Sequence, residues 1–209
     1  MVYEISKNTL GLIVNLYVKE IRGLENVPRR GPYIVAANHS SYMDHLILQN
    51  IWARKFNLVL HFLAKKEHFV GLQKIWHKHF KAIPIDRKRG GKTALRKAVS
   101  LLKRGEVIGI YPEGTRTLTG KLQKGKTGAI RLALASRVPI LPVGIIGTFE
   151  MLPKGKIIPR FKRAKVNIGK VMHFDKYYGK KIDKKTLRLL TTRLMKEIGR
   201  LCKKRYIFD

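Results

Sequence analysis

The stretch P-Y-I-V-A-A-N-H-S-S-Y-M-D-H, residues 32–45, passes from an unbroken apolar run into a turn crowded with polar side chains. The run 32–37 predicts a buried β-strand. The apolar stripe 46–51 predicts a helix that begins near Ser40 or Ser41, because serine is favoured at helix N-termini. A buried strand that leads directly into a helix is typical of α/β folds.

Strand-like and helix-like segments alternate along the rest of the chain. Short apolar runs predict strands at 59–64, 82–85, 106–111, 138–146 and 165–168. Pro84 favours an edge or irregular position for the second of these. Apolar residues at helical spacing predict helices at 93–103, 128–136 and 186–203. We therefore expect one α/β domain with a central, mostly parallel or mixed β-sheet flanked by helices.

The composition restricts the partners of this chain of 209 residues. A hydrophobic fraction of 44% argues against disorder, while 45 Lys+Arg against 13 Asp+Glu give a net charge of +32. Such a surface requires an anionic partner: nucleic acid, an anionic membrane or a phosphorylated substrate. Composition alone favours nucleic acid. The single cysteine, Cys202, excludes an internal disulfide and fits a reducing compartment.

The N-terminal segment 1–20 carries the longest apolar stretch, 9–18, which lysines Lys7 and Lys19 flank. It lacks the pattern of a signal peptide and is shorter than the roughly 18 apolar residues of a membrane-spanning helix. Two interpretations remain open: an amphipathic helix lying in a membrane interface, or a helix packed on the core. Residues 21–209 are expected to form the folded domain.

His39 and Asp44 could form a general base and its supporting carboxylate. Imidazole is a natural base near neutral pH, and an aspartate can fix its tautomer. Ser40 and Ser41 are too close in sequence to complete a triad, so a hydroxyl of the substrate would have to attack. The alternative is that both residues only cap the helix.

A second group lies in Y-P-E-G-T-R, residues 111–116, after the strand 106–111. Gly114 permits a tight turn, Thr115 offers a hydroxyl, and Arg116 carries a planar fork suited to phosphate. Lys65 and Arg87 follow two other predicted strands and could add positive charge. Alone, each of these residues would be read as an ordinary turn or a solvated surface charge.

The histidines do not predict a metal site. His77 and His79 are one residue apart but lack partner cysteines. The combination of His39, Asp44 and His45 is a poor set of metal ligands.

Taken together and in order, these segments resemble the glycerolipid acyltransferase family typified by bacterial 1-acylglycerol-3-phosphate acyltransferase. The resemblance covers residues 21–146 and rests on four blocks: N-H-x-x-x-x-D at 38–44, A-K-K-E with I-x-R at 64–67 and 85–87, P-E-G-T-R at 112–116, and V-P-I-L-P at 138–142. The sequence departs from the family at Lys81, where a glycine is frequent, and at Tyr111, where phenylalanine is usual.

The resemblance implies a glycerol-3-phosphate acyltransferase-like fold and a reaction. A fatty acyl group would pass from a thioester on coenzyme A or acyl carrier protein to the sn-2 hydroxyl of a lysophosphatidic acid, giving phosphatidic acid. His39 would be the base and Asp44 its support, and no bound cofactor or metal would be needed. The implied substrate-binding residues are Lys65, Arg87, Glu113, Gly114, Thr115 and Arg116. Structural roles are implied for Asn38, Pro112, Pro139 and Pro142.

The resemblance also changes the interpretation of the charge. Residues 21–209 are the implied acyltransferase domain. An anionic membrane would hold the protein peripherally at the cytoplasmic face of the cell membrane, with no specific nucleic-acid partner. Three alternatives remain: another acceptor such as glycerol 3-phosphate or a different lysophospholipid, a non-catalytic nucleic-acid-binding protein, and a catalytically inactive protein of the membrane surface.

Overall fold

The computed structural model describes residues 12–65, 82–85, 92–156 and 158–209, without the side chains of residues 64, 65, 85, 92 and 94. Within these ranges seven strands form one sheet. They are β1 Val18–Arg22, β2 Tyr33–Ala37, β3 Leu60–Lys65, β4 Ile83–Ile85, β5 Val107–Ile110, β6 Ile140–Ile146 and β7 Ala164–Ile168.

The strand order β1-β7-β6-β2-β5-β3-β4 gives a mixed sheet. Strands β6, β2, β5, β3 and β4 are mutually parallel, whereas β7 runs antiparallel to β6 and β1 runs parallel to β7. The five parallel strands therefore end at one edge of the sheet, which we call the carboxyl edge. Strands β1 and β7 begin at this same edge. The expected mostly parallel or mixed α/β sheet is confirmed.

Helices cover both faces of the sheet. Helix α1, Met43–Phe56, packs on one face, and α2, Lys92–Lys103, α3, Gly128–Ser136, and α5, Lys184–Leu201, pack on the other. The short helix α4, Thr148–Met151, follows β6 on the α1 side. Strand β2 is buried throughout because alternate side chains face the two layers. This burial on both faces explains the unbroken apolar run at residues 32–37.

The sequence-based elements agree with the structure except near the N-terminus and around α1. Helix α1 begins at Met43, later than predicted, although the Ser41 hydroxyl still accepts the Met43 N–H at 3.0 Å. Strand β4 is at the sheet edge, as Pro84 indicated. Strand β1 was not predicted, and the boundary expected after residue 20 falls inside it. It is an edge strand in which charged residues interrupt the apolar ones, so its sequence lacks a clear strand pattern.

Residues 12–16 form a helical turn that precedes β1, and residues 1–11 of the predicted N-terminal helix lie outside the described residues. Val14 is buried in the core on the α1 side. Leu12, Ile13 and Leu16 instead expose more than half of their surface. In this turn one apolar residue therefore packs inward and three face solvent, and the two interpretations of segment 1–20 stay predictions. In the described residues, every helix is too short or too polar to cross a membrane.

Candidate active site

His39 and Asp44 meet at the carboxyl edge, directly after β2. The Nδ1 atom of His39 lies 2.9 Å from Oδ2 of Asp44, whose side chain is fully buried. The same oxygen accepts the backbone N–H groups of Ser40 at 2.6 Å and Ser41 at 2.8 Å. Asp44 therefore acts only as an acceptor, which places the proton of the neutral imidazole on Nδ1.

The other ring nitrogen of His39 is left for chemistry. Its Nε2 forms no hydrogen bond with any described residue, and 17% of the side chain is exposed. With Nδ1 protonated, Nε2 carries the lone pair that a general base needs. Asp44 also lies in the first turn of α1, where its negative charge is favourable near the helix N-terminus.

Glu113 joins the β2–α1 connection to the loop after β5. Its Oε1 accepts the backbone N–H of His39 at 2.7 Å, and its Oε2 accepts the backbone N–H of Gln123 at 2.9 Å. The backbone N–H of Thr117 in turn donates to the His39 carbonyl at 3.0 Å. Both backbone polar groups of His39 are therefore held by the loop that carries P-E-G-T-R.

Burial raises the pKa of Glu113 to about 7. The N–H groups of His39 and Gln123 act in the opposite direction, because they stabilise the ionised carboxylate, and the charge of Asp44 adds to the rise. Glu113 therefore titrates near neutral pH while its two oxygens are already bonded inside the protein.

Aromatic rings fix the plane of the imidazole. Tyr111 stacks on His39 with ring centroids 3.9 Å apart and planes inclined by 8°. Phe62 also stacks on Tyr111, with ring centroids 5.2 Å apart. Burial, assisted by the charge of Asp44, raises the pKa of Tyr111 well above its usual value, so its hydroxyl stays neutral.

Arg116 reaches the start of α1. Its guanidinium carbon lies 3.5 Å from the centroid of the Tyr42 ring. One terminal nitrogen, Nη1, is buried with no hydrogen-bond partner among the described residues. Gly114 has φ +75°, and a Cβ there would lie 3.1 Å from Nζ of Lys126, which explains the glycine. Thr115 is exposed, and its carbonyl accepts Nε2 of Gln123 at 2.9 Å.

Four further candidates, Asn38, Pro112, Lys65 and Arg87, lie in or after strands that end at the carboxyl edge. Asn38 extends the β2–β6 pairing with its side chain: Nδ2 donates to the Ile145 carbonyl at 2.9 Å, and Oδ1 accepts the Ile145 N–H at 2.7 Å. Pro112 is buried in the loop after β5 and accepts the N–H of Lys126 at 2.7 Å. Lys65 ends β3 at the carboxyl edge, and Arg87 lies outside the described residues.

The two prolines of the V-P-I-L-P block lie away from the site. Pro139 precedes β6 at the opposite edge, where its carbonyl accepts the Ile34 N–H. Pro142 is inside β6, where the ladder with β7 is interrupted between the Ile140–Met172 bridge and the pair Val143–Ile168. A residue without an N–H is tolerated at such an interruption. These prolines support the sheet that carries the site.

Sequence reasoning missed Gln123 and Tyr42. Gln123 contacts Glu113 from ten residues further along the chain, and nothing in the pattern indicates this contact. Tyr42 lies within residues 32–45, but only the structure shows that its ring packs against the guanidinium group of Arg116. Within the described parts of the chain, no group of three or more His, Cys, Asp or Glu side chains is placed to hold a metal ion.

A model of the Acyltransferase family matches residues 19–146, from β1 to the end of β6. The chain belongs to this acyltransferase family. The acyltransferase is 31% identical over 180 residues to the 1-acyl-sn-glycerol-3-phosphate acyltransferase of Bacillus subtilis (strain 168), covering 82% of each chain. It is 30% identical over 177 residues to the chloroplastic 1-acyl-sn-glycerol-3-phosphate acyltransferase BAT2 of Brassica napus, covering 82% of this chain and 48% of that one.

The acyltransferase also resembles a solved structure. The 1-acyl-sn-glycerophosphate (LPA) acyltransferase PlsC from Thermotoga maritima superposes with a TM-score of 0.74 at 27% identity, covering 99% of this chain and 82% of that chain. The family resemblance that the sequence blocks indicated is therefore confirmed, and so is the fold it implied.

Proposed function

We propose that this acyltransferase moves a fatty acyl group from acyl-CoA or acyl carrier protein to the sn-2 hydroxyl of 1-acyl-sn-glycerol 3-phosphate, giving phosphatidic acid. The observation that carries this proposal is the His39–Asp44 pair, whose Nε2 is left available at the carboxyl edge. The names of the similar proteins from Bacillus subtilis and Brassica napus support the choice of acceptor.

The proposed reaction is a direct transfer. Nε2 of His39 takes the proton of the acceptor hydroxyl while that oxygen attacks the thioester carbonyl, and Asp44 stabilises the imidazolium that forms. The new C–O bond forms, the C–S bond breaks, and His39 returns the proton to the departing thiolate. Ser41 is unsuited as a nucleophile because its hydroxyl donates to the Leu152 carbonyl at 2.7 Å and accepts the Met43 N–H.

We assign the acceptor's phosphate to the cations at this edge. Arg116 is the first choice, since its buried Nη1 has no partner among the described residues and a phosphate oxygen would satisfy it. Lys65 is the last residue of β3, which ends at the same edge, and Arg87 follows β4 in the sequence; both are further candidates. Glu113 is assigned a positioning role, because its two oxygens already hold the backbones of His39 and Gln123.

The test is an assay of the purified protein with 1-acyl-sn-glycerol 3-phosphate and each thioester donor. The wild type should produce phosphatidic acid with one of the donors, and His39→Ala should lower kcat by at least about 10²-fold. Folded wild-type protein that yields no phosphatidic acid with either donor would overturn the assignment. Glycerol 3-phosphate and other lysophospholipids, tested in the same assay, decide between acceptors.

Two variants of Asp44 separate the effect of its negative charge from the effect of its hydrogen bonds to the backbone. Asp44→Asn keeps an oxygen for the Ser40 and Ser41 N–H groups but removes the negative charge that stabilises the imidazolium. It should lower kcat with little change in melting temperature. Asp44→Ala should lower both, because it leaves two buried N–H groups without an acceptor. Equal activity of Asp44→Asn and the wild type would contradict the proposed role of Asp44.

A further inference from the structure

The connection between β6 and β7 exposes apolar side chains among positive charges. Ile158 is 83% exposed and Phe161 is 73% exposed, although residues of this size are normally buried. Segment 153–163 contains no acidic residue, and its exposed cations are Lys154, Lys156, Arg160, Lys162 and Arg163. An apolar tip within a basic loop is costly in water and favourable at an anionic lipid surface.

The segment lies at the same edge of the sheet as His39. It follows β6, which ends at the carboxyl edge, and it leads into β7, which begins there. The Leu152 carbonyl just before it accepts the hydroxyl of Ser41, two residues from His39. The Arg160 N–H donates to the Met151 carbonyl at 2.8 Å, which fixes the loop on α4. The exposed tip therefore has a defined position relative to the site.

The helical turn 12–16 enlarges this apolar surface. The rings of Tyr17 and Phe161 are 5.9 Å apart, and the Ala164 N–H donates to the Tyr17 carbonyl at 2.7 Å. The exposed side chains of Leu12, Ile13 and Leu16 belong to the turn that Tyr17 terminates. Two separate segments of the chain thus present apolar residues next to each other at the carboxyl edge.

We propose that segment 153–163 is a membrane-contact loop that inserts Ile158 and Phe161 into the interface of an anionic lipid bilayer. The inference rests on the proposed function, because the lipid acceptor of that reaction resides in such a bilayer. Contact through this loop brings the carboxyl edge, and with it His39, to the level of the lipid headgroups. The surrounding lysines and arginines pair with lipid phosphates.

Binding to vesicles tests the proposal, with phosphatidylcholine vesicles that contain or lack phosphatidylglycerol. Phe161→Asp is compared with Leu189→Asp, a matched control that is 64% exposed and lies on α5, which packs on the other face of the sheet from α4. We expect Phe161→Asp to weaken binding to the anionic vesicles about tenfold or more, and Leu189→Asp to bind like the wild type. Equal binding by Phe161→Asp and the wild type would overturn the proposal.

A charge-reversal pair keeps the test independent of Phe161. Lys154→Glu with Lys156→Glu should weaken binding to anionic vesicles about tenfold or more, whereas Lys180→Glu with Lys181→Glu, also exposed, should have a much smaller effect. Circular dichroism confirms that each variant is folded. Equal losses in the two pairs would show that only net charge matters and would contradict a dedicated loop.

Activity measurements distinguish this proposal from the proposed function. Phe161→Asp should lose activity on acceptor embedded in vesicles but keep wild-type activity on a short-chain acceptor that is monomeric in solution. Loss of activity on both acceptors would contradict the proposal and place Phe161 in the site itself. A wild type that binds vesicles without any transferase activity would overturn the proposed function alone. Gel filtration compares the oligomeric state of the two proteins. If the wild type were oligomeric and Phe161→Asp monomeric, the surface would be a contact between copies of the chain, and the lipid assignment would be overturned.

Discussion

At the scale of single residues, Tyr111 combines a favourable ring with an unfavourable hydroxyl. Its ring stacks on His39, but its hydroxyl is buried without a hydrogen-bond partner among the described residues. A buried unpaired hydroxyl costs about 1–3 kcal/mol. Tyr111→Phe should therefore raise the free energy of unfolding by about 1 kcal/mol, or the melting temperature by about 2–4 °C, with kcat within a factor of two.

Thermal unfolding of the wild type and Tyr111→Phe side by side checks this expectation, and Tyr17→Phe is a control because the Tyr17 hydroxyl is not among the buried, unpartnered polar groups of the described residues. A variant that is less stable than the wild type would show that the hydroxyl has a stabilising partner. A large fall in kcat with unchanged stability would instead assign the hydroxyl a part in the reaction.

The raised pKa of Glu113 predicts that the free energy of unfolding depends on pH. Its pKa of about 7 lies above the ordinary value of 4.5, so the folded protein holds this proton more tightly than the unfolded chain does. The associated stabilisation is complete below about pH 4.5 and is lost as the pH rises through 7. Relative to Glu113→Gln, the wild type should lose at most about 3 kcal/mol of unfolding free energy between pH 4.5 and 8.

Chemical denaturation across this pH range measures the difference, with Glu150→Gln as a control at an exposed glutamate. A difference between wild type and Glu113→Gln that stays constant with pH would show that Glu113 has the same pKa in the folded and unfolded states. We also expect a lower kcat in Glu113→Gln. The glutamine side chain has one acceptor oxygen for the backbone N–H groups of His39 and Gln123, so its NH2 group would face one of these two donors and disturb the position of His39.

At the scale of elements, the pairing of β2 with β6 does not stop at the last strand residue. The Asn38 side chain makes two hydrogen bonds with the backbone of Ile145 and so carries the ladder one step beyond Ala37. This fixes the chain immediately before His39. Asn38→Ala should lower the free energy of unfolding by about 2–3 kcal/mol and also lower kcat.

The matched control for Asn38→Ala is Asn26→Ala. Asn26 donates one side-chain bond, to the Ile168 carbonyl at 3.0 Å, at the opposite edge of the sheet. That variant should cost about 1 kcal/mol and leave kcat unchanged. Wild-type kcat in a folded Asn38→Ala protein would show that the β2–β6 extension does not position His39.

How far the sequence predicts an element depends on its burial. Strand β2 is enclosed on both faces and flanked by two parallel strands, so its composition is dictated by the core and its bounds were predicted within one residue. Strand β1 has one neighbour and carries Lys19, Glu20 and Arg22, and the predicted boundary after residue 20 divided it between two segments. Its pairing with β7 joins residues far apart in sequence, and a local pattern contains no record of that contact.

The same difference applies to the connections that form the site. The spacing of His39 and Asp44 allowed a hydrogen bond within one short turn, which the structure contains at 2.9 Å. The contacts of Glu113 with His39 and Gln123 depend on how two loops pack against each other. The family resemblance implied a substrate-binding role for Glu113, and only the packing shows that its oxygens are already bonded.

At the scale of the whole molecule, a net charge of +32 provides a long-range attraction to any anionic partner. It acts on nucleic acid and on membranes alike, at about 1 kcal/mol for each basic residue close to an anionic bilayer. Charge alone therefore does not select a partner. We expect the exposed side chains of Leu12, Ile13 and Leu16 to add an apolar attraction to a lipid interface, which salt does not screen.

The response to salt separates these partners. Binding to duplex DNA should be independent of sequence and fall about 10³–10⁵-fold between roughly 50 mM and 200 mM salt, as for proteins that contact 6–10 phosphates. Binding to phosphatidylglycerol-containing vesicles should weaken less, and Leu12→Asp with Ile13→Asp should reduce the salt-resistant part without abolishing it, because Ile158 and Phe161 remain. Leu189→Asp is the control. Vesicle binding as salt-sensitive as DNA binding would indicate purely electrostatic attachment. Sequence-selective DNA binding at the higher salt concentration would instead favour a nucleic-acid partner, because counterion release alone does not distinguish one sequence from another.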